Sequence, residues 1–149
     1  GYLLCAREFG RQMRDAGRGS IVHISSIAAH NPQPYSGAYT PSKAAVSALS
    51  QQLAVEWGPH GVRSNCVAPG MIRTALTAAY YDHPSITEAR EGFTATRRIG
   101  TPEDIANAVL FLLSERSSYI TGSEVEVNGG LSCMLMGKIP RPGFTANGQ

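Results

Sequence analysis

A tyrosine and a lysine stand one helical turn apart in the stretch YSGAYTPSK, residues 35–43. A tyrosine that exchanges a proton near neutral pH needs assistance, because an unperturbed phenol has a pKa of about 10. A cation within roughly 4 to 6 Å stabilises the phenolate, and residues four apart on a helix share a face. Tyr39 and Lys43 have this spacing, whereas Tyr35 is followed four residues later by Tyr39. The pattern predicts Tyr39 as a general acid or base assisted by Lys43.

Two serines follow a predicted strand and could supply a hydroxyl to the same chemistry. Ser25 and Ser26 close the run that begins IVHIS at residue 21, which is brief and rich in β-branched residues and therefore predicts a buried strand. In open α/β sheets, ligands bind outside the carboxyl ends of the strands. Successive side chains of a strand point to opposite faces, so the two serines are expected to differ in role.

Helices and strands alternate along the chain in a way that predicts a parallel sheet. Apolar periodicity predicts helices over 2–16, 40–57 and 101–114 and strands over 21–25, 61–70 and 124–127. The last helix is predicted to start with Thr101 as N-cap, Pro102 at the first helical position and Asp104 at the third. Residues 71–100 are the least regular part, where we expect a lid or flap, and residues 131–149 are expected to form a surface tail. Alternating helices and parallel strands indicate an α/β, Rossmann-like doubly wound fold, and three strands correspond to half of one.

The start of the second predicted helix is open between two registers. With Ser36 as N-cap, Pro41 lies beyond the first turn and removes a backbone hydrogen bond. With Thr40 as N-cap, Pro41 takes the favoured first helical position. In either register, Tyr39 and Lys43 remain about one turn apart.

The composition excludes several classes of function. A charged fraction of 16% and a formal net charge of +2 predict neither a nucleic-acid nor a membrane partner. The longest apolar run, IANAVLFLL at 105–113, is well short of the roughly 20 residues that span a bilayer. Cys5, Cys66 and Cys133 lie far apart without a CxxC pair, so we expect no disulfide framework, no metal site and a cytoplasmic location. His23, within a strand and without a second ligand at metal spacing, is expected to be a core histidine.

Five segments resemble the short-chain dehydrogenase/reductase family, of the single-domain kind. In chain order they are GSIVHISSIA, AYTPSKAAV, GVRSNCVAPGMIRT, RIGTPEDIANAVLFLLS and YITGSEVEVNGG, and the resemblance covers residues 1 to about 130. It implies an NAD(P)-dependent oxidoreductase that interconverts an alcohol and a carbonyl. The family's catalytic serine lies thirteen residues before the tyrosine of its YxxxK motif. The resemblance therefore implies Ser26, Tyr39 and Lys43 as catalytic residues, with Ser25 in a structural role.

The resemblance also implies which residues contact the cofactor. Tyr39 and Lys43 would contact the nicotinamide nucleoside, and the segment PGMIRT would enclose the nicotinamide. In that segment Pro69 and Gly70 let the backbone turn close to the ring, Ile72 offers its backbone groups to the carboxamide, and Thr74 offers its hydroxyl. The family residue that selects between NAD and NADP has no counterpart here, so that choice stays open.

The family's glycine-rich phosphate loop, TGxxxGxG, and its NNAG motif have no match in the sequence. The family also carries an active-site asparagine just before a glycine that corresponds to Gly1. By resemblance, residues 1–149 are thus the C-terminal part of a single dehydrogenase domain, without the first strands and the phosphate-binding loop.

Two functions remain in competition. One is the oxidoreductase, with a largely apolar ketone or alcohol as substrate because Leu76, Tyr80 and Tyr81 occupy the predicted flap. The other is a truncated, non-catalytic fragment that acts as an oligomerisation or interaction module. Members of the family commonly form tetramers through two long helices, which residues 1–16 and 40–57 resemble, and through the last strand, so a tetramer or dimer is implied.

Overall fold

The computed structural model describes residues 1–139 and 142. Its helices are α1 Tyr2–Asp15, α2 Tyr39–Trp57, α3 Ala78–Tyr81, α4 Pro84–Gly92 and α5 Pro102–Leu113, and its strands are β1 Gly19–Ile24, β2 Val62–Pro69 and β3 Glu124–Val127. The three helices and three strands expected from apolar periodicity are confirmed, each to within two residues at either end.

The three strands form one parallel sheet in the order β1-β2-β3. Gly19 pairs with Val62 at the start of the first ladder, and Cys66 pairs with Glu124 at the start of the second. The central strand is buried on both faces: Val62, Ser64, Asn65 and Val67 are all fully buried. Burial on both faces is typical of parallel sheets covered by helices, so the predicted α/β class is confirmed.

The helices α2 and α5 cover opposite faces of this sheet. Ser64 in β2 exchanges a hydrogen bond of 2.9 Å with Ser50 of α2, whereas Arg63 donates to the carbonyl of Leu112 in α5 at 2.9 Å. Because adjacent residues of a strand point to opposite faces, the two helices must lie on opposite sides. The two faces of a doubly wound sheet are therefore both covered at β2.

The helices α1 and α2 pack closely and fix the position of β1. Gly10 of α1 lies against the indole of Trp57, and a Cβ atom there would collide with the ring. Trp57 belongs to an apolar core with Ala6, Leu53 and Val62. This packing joins the middle of α1 to the C-terminal end of α2, while Lys43 and Ser25 tie the start of α2 to the carboxyl end of β1.

The structure corrects the start of α2. The N-cap is Ala38, so neither Ser36 nor Thr40 occupies that position. The Ser36 hydroxyl instead donates to the carbonyl of Gln33 at 2.8 Å. Pro41 falls on the third helical residue, where the backbone N–H has no acceptor within the helix in any case, so the proline removes nothing.

The irregular segment and the tail contain short elements. Residues 71–100 include α3 and α4, and Tyr81, Thr94 and Ile99 within this segment are buried. The expected tail over 131–149 lies partly outside the described residues; its described part holds two short 3₁₀ turns, Leu131–Cys133 and Met136–Lys138. In the part of the chain that the structure describes, no helix has both the length and the apolar content needed to cross a membrane.

Candidate active site

Tyr39 and Lys43 lie on successive turns at the start of α2, as their spacing predicts. The Lys43 ammonium nitrogen is 5.8 Å from the centroid of the Tyr39 ring. The same Nζ donates a hydrogen bond of 3.0 Å to the carbonyl of Ile24, the last residue of β1. The ammonium is thus held at the carboxyl end of the strand, beside the ring of Tyr39.

A second phenol, which the sequence analysis missed, contacts the same ammonium. The Tyr2 ring centroid is 5.7 Å from Lys43 Nζ, and the Tyr2 hydroxyl donates to the Ile24 carbonyl at 2.9 Å. Lys43 Nζ also lies 3.5 Å from the Tyr2 hydroxyl oxygen. Tyr2 and Lys43 are 41 residues apart in sequence, so no local spacing could have indicated this contact.

The two serines at the end of β1 differ in environment. Ser25 is buried, and its hydroxyl donates to the Lys43 carbonyl at 3.2 Å and hydrogen-bonds Ser47 at 2.8 Å. The half-buried Ser26 accepts a hydrogen bond of 3.1 Å from the N–H of Ala28. Among the described residues, no acceptor takes the hydrogen of the Ser26 hydroxyl. Ser25 therefore ties β1 to α2, while Ser26 retains a free donor.

A cavity of about 560 Å³ lies beyond the carboxyl ends of β1 and β2. Its lining includes the four residues of the 69–74 segment to which cofactor contacts were assigned, namely Pro69, Gly70, Ile72 and Thr74. Ser26, Tyr39 and Lys43 are not among its lining residues. The connection between the two groups is Ile24, which lines the cavity and accepts the hydrogen bond from Lys43.

Gly70 is required by a close approach between two chain segments. A Cβ atom at this position would lie 2.6 Å from Asn128 Cβ and 2.8 Å from Asn128 Cα. The N–H of Gly70 donates to the carbonyl of Val127 at 3.0 Å, so the turn after β2 is pinned to the end of β3. Only glycine allows the backbone to leave the sheet here and enter the cavity wall.

Backbone pairing to a distant residue braces the rest of the 69–74 segment. Gly100 donates to the carbonyl of Met71 at 3.0 Å and accepts from the N–H of Arg73 at 2.9 Å. Thr77, which the sequence analysis did not single out, donates its hydroxyl to the Ile72 carbonyl at 2.8 Å and accepts from the N–H of Thr74 at 2.9 Å. The segment is therefore a fixed wall of the cavity.

The predicted start of α5 is confirmed. It follows directly after Gly100, the residue that pairs with the 69–74 segment. Thr101 is the N-cap, Pro102 follows, and the Asp104 carboxylate accepts from the Thr101 N–H at 2.8 Å. Arg98 donates to both carboxylate oxygens of Asp104, at 2.6 and 2.8 Å. These bonds from Arg98, and then the Thr101 N–H, hold the pKa of Asp104 well below its usual range.

One wall of the cavity carries a positive charge that the sequence analysis did not assign. The Arg90 guanidinium lies 4.8 Å from the Tyr80 ring centroid and 5.5 Å from that of Tyr81, and it donates to the Tyr81 hydroxyl at 3.3 Å. Leu76, expected in this pocket, is 91% exposed and is not among the lining residues. Tyr80 and Tyr81 do line the cavity, whose surface is mostly apolar and includes the guanidinium of Arg90.

Two further titratable side chains are buried in the strands. Burial lowers the pKa of His23, whose Nε2 has no hydrogen-bond partner in the described part of the chain. Burial is also the main cause that raises the pKa of the Cys66 thiol to about 11, which is the behaviour of a small core residue. No group of three potential metal ligands occurs among residues 1–139 and 142.

The parallel sheet with a cavity beyond its strand ends defines a Rossmann-like α/β protein. A family model described as enoyl-(acyl carrier protein) reductase matches residues 1–132. Dehydrogenase/reductase SDR family member 4 of Bos taurus is 45% identical over 119 residues, which are 80% of this chain and 43% of that protein. Galactitol 2-dehydrogenase of Rhizobium johnstonii is 42% identical over 136 residues, which are 89% of this chain and 52% of that protein.

Solved structures with a similar fold also include dehydrogenases. One of 4-hydroxyisoleucine dehydrogenase complexed with NADH has a TM-score of 0.84 at 30% identity, covering 88% of this chain and 54% of that chain. One of gluconate 5-dehydrogenase from Burkholderia cenocepacia with NADP and tartrate has a TM-score of 0.81 at 29% identity, covering 86% and 50%. The chain belongs to the short-chain dehydrogenase/reductase family, and it spans about half the length of the curated relatives it matches.

Proposed function

We propose that this chain provides the catalytic residues and the nicotinamide-side cavity of an NAD(P)-dependent oxidoreductase that interconverts an alcohol and a carbonyl. The observation that carries the proposal is the position of the Lys43 ammonium, 5.8 Å from the Tyr39 ring centroid and bonded to the carboxyl end of β1. A phenol beside a fixed cation at a strand end is suited to proton exchange with a ligand bound there.

Three side chains have distinct roles in the proposed reaction. In the reducing direction, Tyr39 donates its proton to the carbonyl oxygen as negative charge develops there, and in the oxidising direction it accepts the proton of the alcohol. Ser26, with its unused donor, hydrogen-bonds the same oxygen and stabilises that charge. Lys43 stabilises the phenolate form of Tyr39 through its positive charge.

The residues present fit the nicotinamide end of a dinucleotide. Glycine at position 70 lets the backbone turn at the cavity, and Pro69, Ile72 and Thr74 line the same space. The bound nicotinamide supplies or takes up the hydride. Relatives whose structures contain NADH or NADP support this class of cofactor and leave the choice between the two open.

The proposed substrate is a small ketone or alcohol that carries a polar or anionic substituent. Among the described residues, no carboxylate lies within salt-bridge distance of Arg90, which lines the cavity. An anionic substituent on the substrate would fill this role, since a guanidinium binds carboxylates in bidentate geometry. We place the protein in the reducing environment of the cytoplasm, because three cysteines are free.

The test compares two tyrosine variants of the full chain, with ketone reduction and nicotinamide fluorescence as separate readouts. Tyr39→Phe is expected to abolish turnover while cofactor affinity changes little. Tyr35→Phe is the matched control, because Tyr35 is fully exposed and lies outside α2. Turnover retained by Tyr39→Phe would refute the role of this phenol.

A second candidate function is an interaction module that forms tetramers or dimers. The observation that favours it is that α1 and α2 expose several large apolar side chains, namely Leu3, Leu4, Phe9 and Val55. If the unaltered chain neither binds NADH or NADPH nor reduces ketones, yet sedimentation shows a stable oligomer, the module is the better description.

A further inference from the structure

The carboxylate of Glu124, in β3, is shared by two segments that are distant from each other in sequence. Strand β3 pairs with β2 and not with β1, yet this side chain contacts both the loop after β1 and the helix α2. His30 Nε2 lies 2.7 Å from one carboxylate oxygen, and the Ser47 hydroxyl donates to the other. The Glu124 side chain is only 14% exposed, so water offers these two oxygens few alternative hydrogen bonds.

The contact with His30 reaches the loop that carries Ser26. Ser26 is the N-cap of a 3₁₀ turn over Ile27–Ala29, and His30 is the residue that ends this turn. The N–H of Ala29 donates to the Ser26 carbonyl at 2.9 Å, and the N–H of His30 donates back into the turn at 3.2 Å. Because backbone hydrogen bonds link these residues, holding His30 at Glu124 also restricts the position of Ser26.

The contact with Ser47 reaches the helical turn that carries Lys43. Ser47 follows Lys43 by one turn on the same face of α2. The Ser47 hydroxyl gives its hydrogen to Glu124, so its oxygen is left to accept from the Ser25 hydroxyl, 2.8 Å away. The Ser25 hydroxyl also lies 3.2 Å from the Lys43 carbonyl oxygen. One chain of hydrogen bonds therefore joins β3, the Lys43 turn and the residue that follows β1.

We propose that Glu124 is a positioning residue of the candidate active site, because its one carboxylate fixes the loop of Ser26 relative to the first turns of α2. Those turns carry Tyr39 and Lys43. The inference rests on the proposed oxidoreductase function, in which Ser26 and Tyr39 must reach the same substrate oxygen. Hydrogen bonds to a carboxylate are roughly twice as strong as those between neutral groups, so replacing Glu124 should loosen both segments.

Hydrogen exchange of the full chain, measured by mass spectrometry, tests this role without any need for turnover. Glu124→Val removes both hydrogen bonds and introduces a residue that suits a strand. We expect exchange to become about tenfold faster at the amides of residues 28–31 and also at those of residues 43–47. Faster exchange in only one of these segments, or in neither, would overturn the proposal. Glu124→Gln keeps the shape and an acceptor oxygen, should accelerate both segments by a smaller factor, and provides the test if the valine variant does not fold.

Variants that remove one contact at a time separate the two segments. Ser47→Ala should accelerate exchange at residues 43–47 alone, and His30→Ala should accelerate it at residues 28–31 alone. Ser50→Ala is the matched control, because Ser50 is another buried serine of α2 but pairs with Ser64, outside the chain of hydrogen bonds that begins at Glu124. If Ser50→Ala accelerated both segments as Glu124→Val does, general destabilisation would explain the result and the proposal would fail.

The ring of Tyr39 provides a second readout, which a purely structural role of Glu124 would not change. This ring lies beside the Lys43 ammonium, so the ¹³Cζ resonance of Tyr39, assigned by its absence from Tyr39→Phe, reports on that contact. Glu124→Val should shift the resonance, and Glu124→Gln should restore most of its original position. Tyr119 is fully exposed, and its resonance should stay in place in both variants. An unchanged Tyr39 resonance in Glu124→Val would contradict the proposal.

Steady-state kinetics connects this position to the reaction. Glu124→Val should lower kcat about tenfold and leave the KM for the cofactor nearly unchanged, because the 69–74 segment takes no part in the chain of hydrogen bonds. An unchanged kcat would overturn the positioning role. If the unaltered chain reduces no ketone, the proposed oxidoreductase function fails by its own test, whereas the exchange and resonance measurements still decide whether Glu124 positions the two segments.

Discussion

Two regions contribute to the candidate site, and they are held in place by different means. The corner between α2 and β1 is fixed by side chains that reach a neighbouring backbone, as when Lys43 binds the carbonyl of Ile24. The 69–74 segment is fixed by backbone pairing, with Gly100 bonded on both sides of Ile72. The corner presents the groups suited to proton transfer, and the segment presents a cavity wall. Substitutions in the corner between α2 and β1 should therefore affect turnover most. Substitutions in the 69–74 segment should mainly affect binding of the nicotinamide.

After Tyr39→Phe, the largest expected effect comes from removing the charge at the corner between α2 and β1. Lys43→Met keeps most of the apolar stem but removes the ammonium beside Tyr39, and we expect kcat/KM to fall by about 10²- to 10⁴-fold. Steady-state ketone reduction measures this loss. Lys138→Met is the control, because the other lysine of the chain donates to the Gly92 carbonyl and lies over the Phe93 ring rather than beside Tyr39. A loss below about threefold would show that the corner does not assist the phenol.

The next effect concerns the cavity wall. Gly70→Ala inserts a Cβ atom 2.6 Å from Asn128 Cβ, and we expect it to lower the free energy of unfolding by about 1–3 kcal/mol and to weaken nicotinamide binding. Chemical denaturation and fluorescence titration measure the two quantities. Gly58→Ala is the matched control, since nothing lies within 4 Å of a Cβ atom there. If the two variants behaved alike, the close approach at Gly70 would be unimportant.

A smaller effect is expected at Asp104, which holds the start of α5 next to the 69–74 segment. Asp104→Asn removes the ion pair with Arg98 but leaves an oxygen that can accept from the Thr101 N–H, so Tm should fall slightly at neutral pH. The folded-state pKa of Asp104 is lowered, so its contribution is present above the unfolded carboxyl pKa of about 3.9 and is lost as pH falls below it. The difference from the unaltered protein should therefore shrink in acid. Glu88→Gln, on the exposed surface of α4, should show no such dependence.

The smallest effect tests the strand that supports the corner. His23 is buried and its folded-state pKa is lowered, so the unfolded chain binds more protons once the pH falls to about 6.5. The free energy of unfolding should decrease gradually below that pH, and His23→Leu should remove this part of the decrease. His83→Gln, at an exposed position, should retain it. An unchanged slope in His23→Leu would mean that another group is responsible.

Local pattern predicted the three longest helices and the three strands because each of them satisfies a period or a cap within its own residues. The start of α5, with Thr101, Pro102 and Asp104, followed from their order alone. The start of α2 did not, because Ser36 bonds Gln33 rather than the helix and leaves the N-cap to Ala38. Residue propensities do not predict which of two local hydrogen bonds of similar strength the Ser36 hydroxyl forms.

Contacts in the candidate site could be predicted where the two residues are close together in sequence. Tyr39 and Lys43 are four residues apart and share a helix face, so their proximity could be foreseen. Tyr2 contacts Lys43 across 41 residues, and its part in the corner depends on the packing of α1 against β1. Arg90 reaches the cavity for a similar reason, through the fold of the 71–100 segment rather than through any local motif.

The carbonyl of Ile24 already has both of its lone pairs engaged, by a hydroxyl and by an ammonium. A further hydrogen-bond donor could reach this oxygen only by displacing the Tyr2 hydroxyl or the Lys43 ammonium. Because α1 supplies one of the two donors and α2 the other, a change at Tyr2 would alter the hydrogen-bonding surroundings of Lys43 although the two residues lie on different helices.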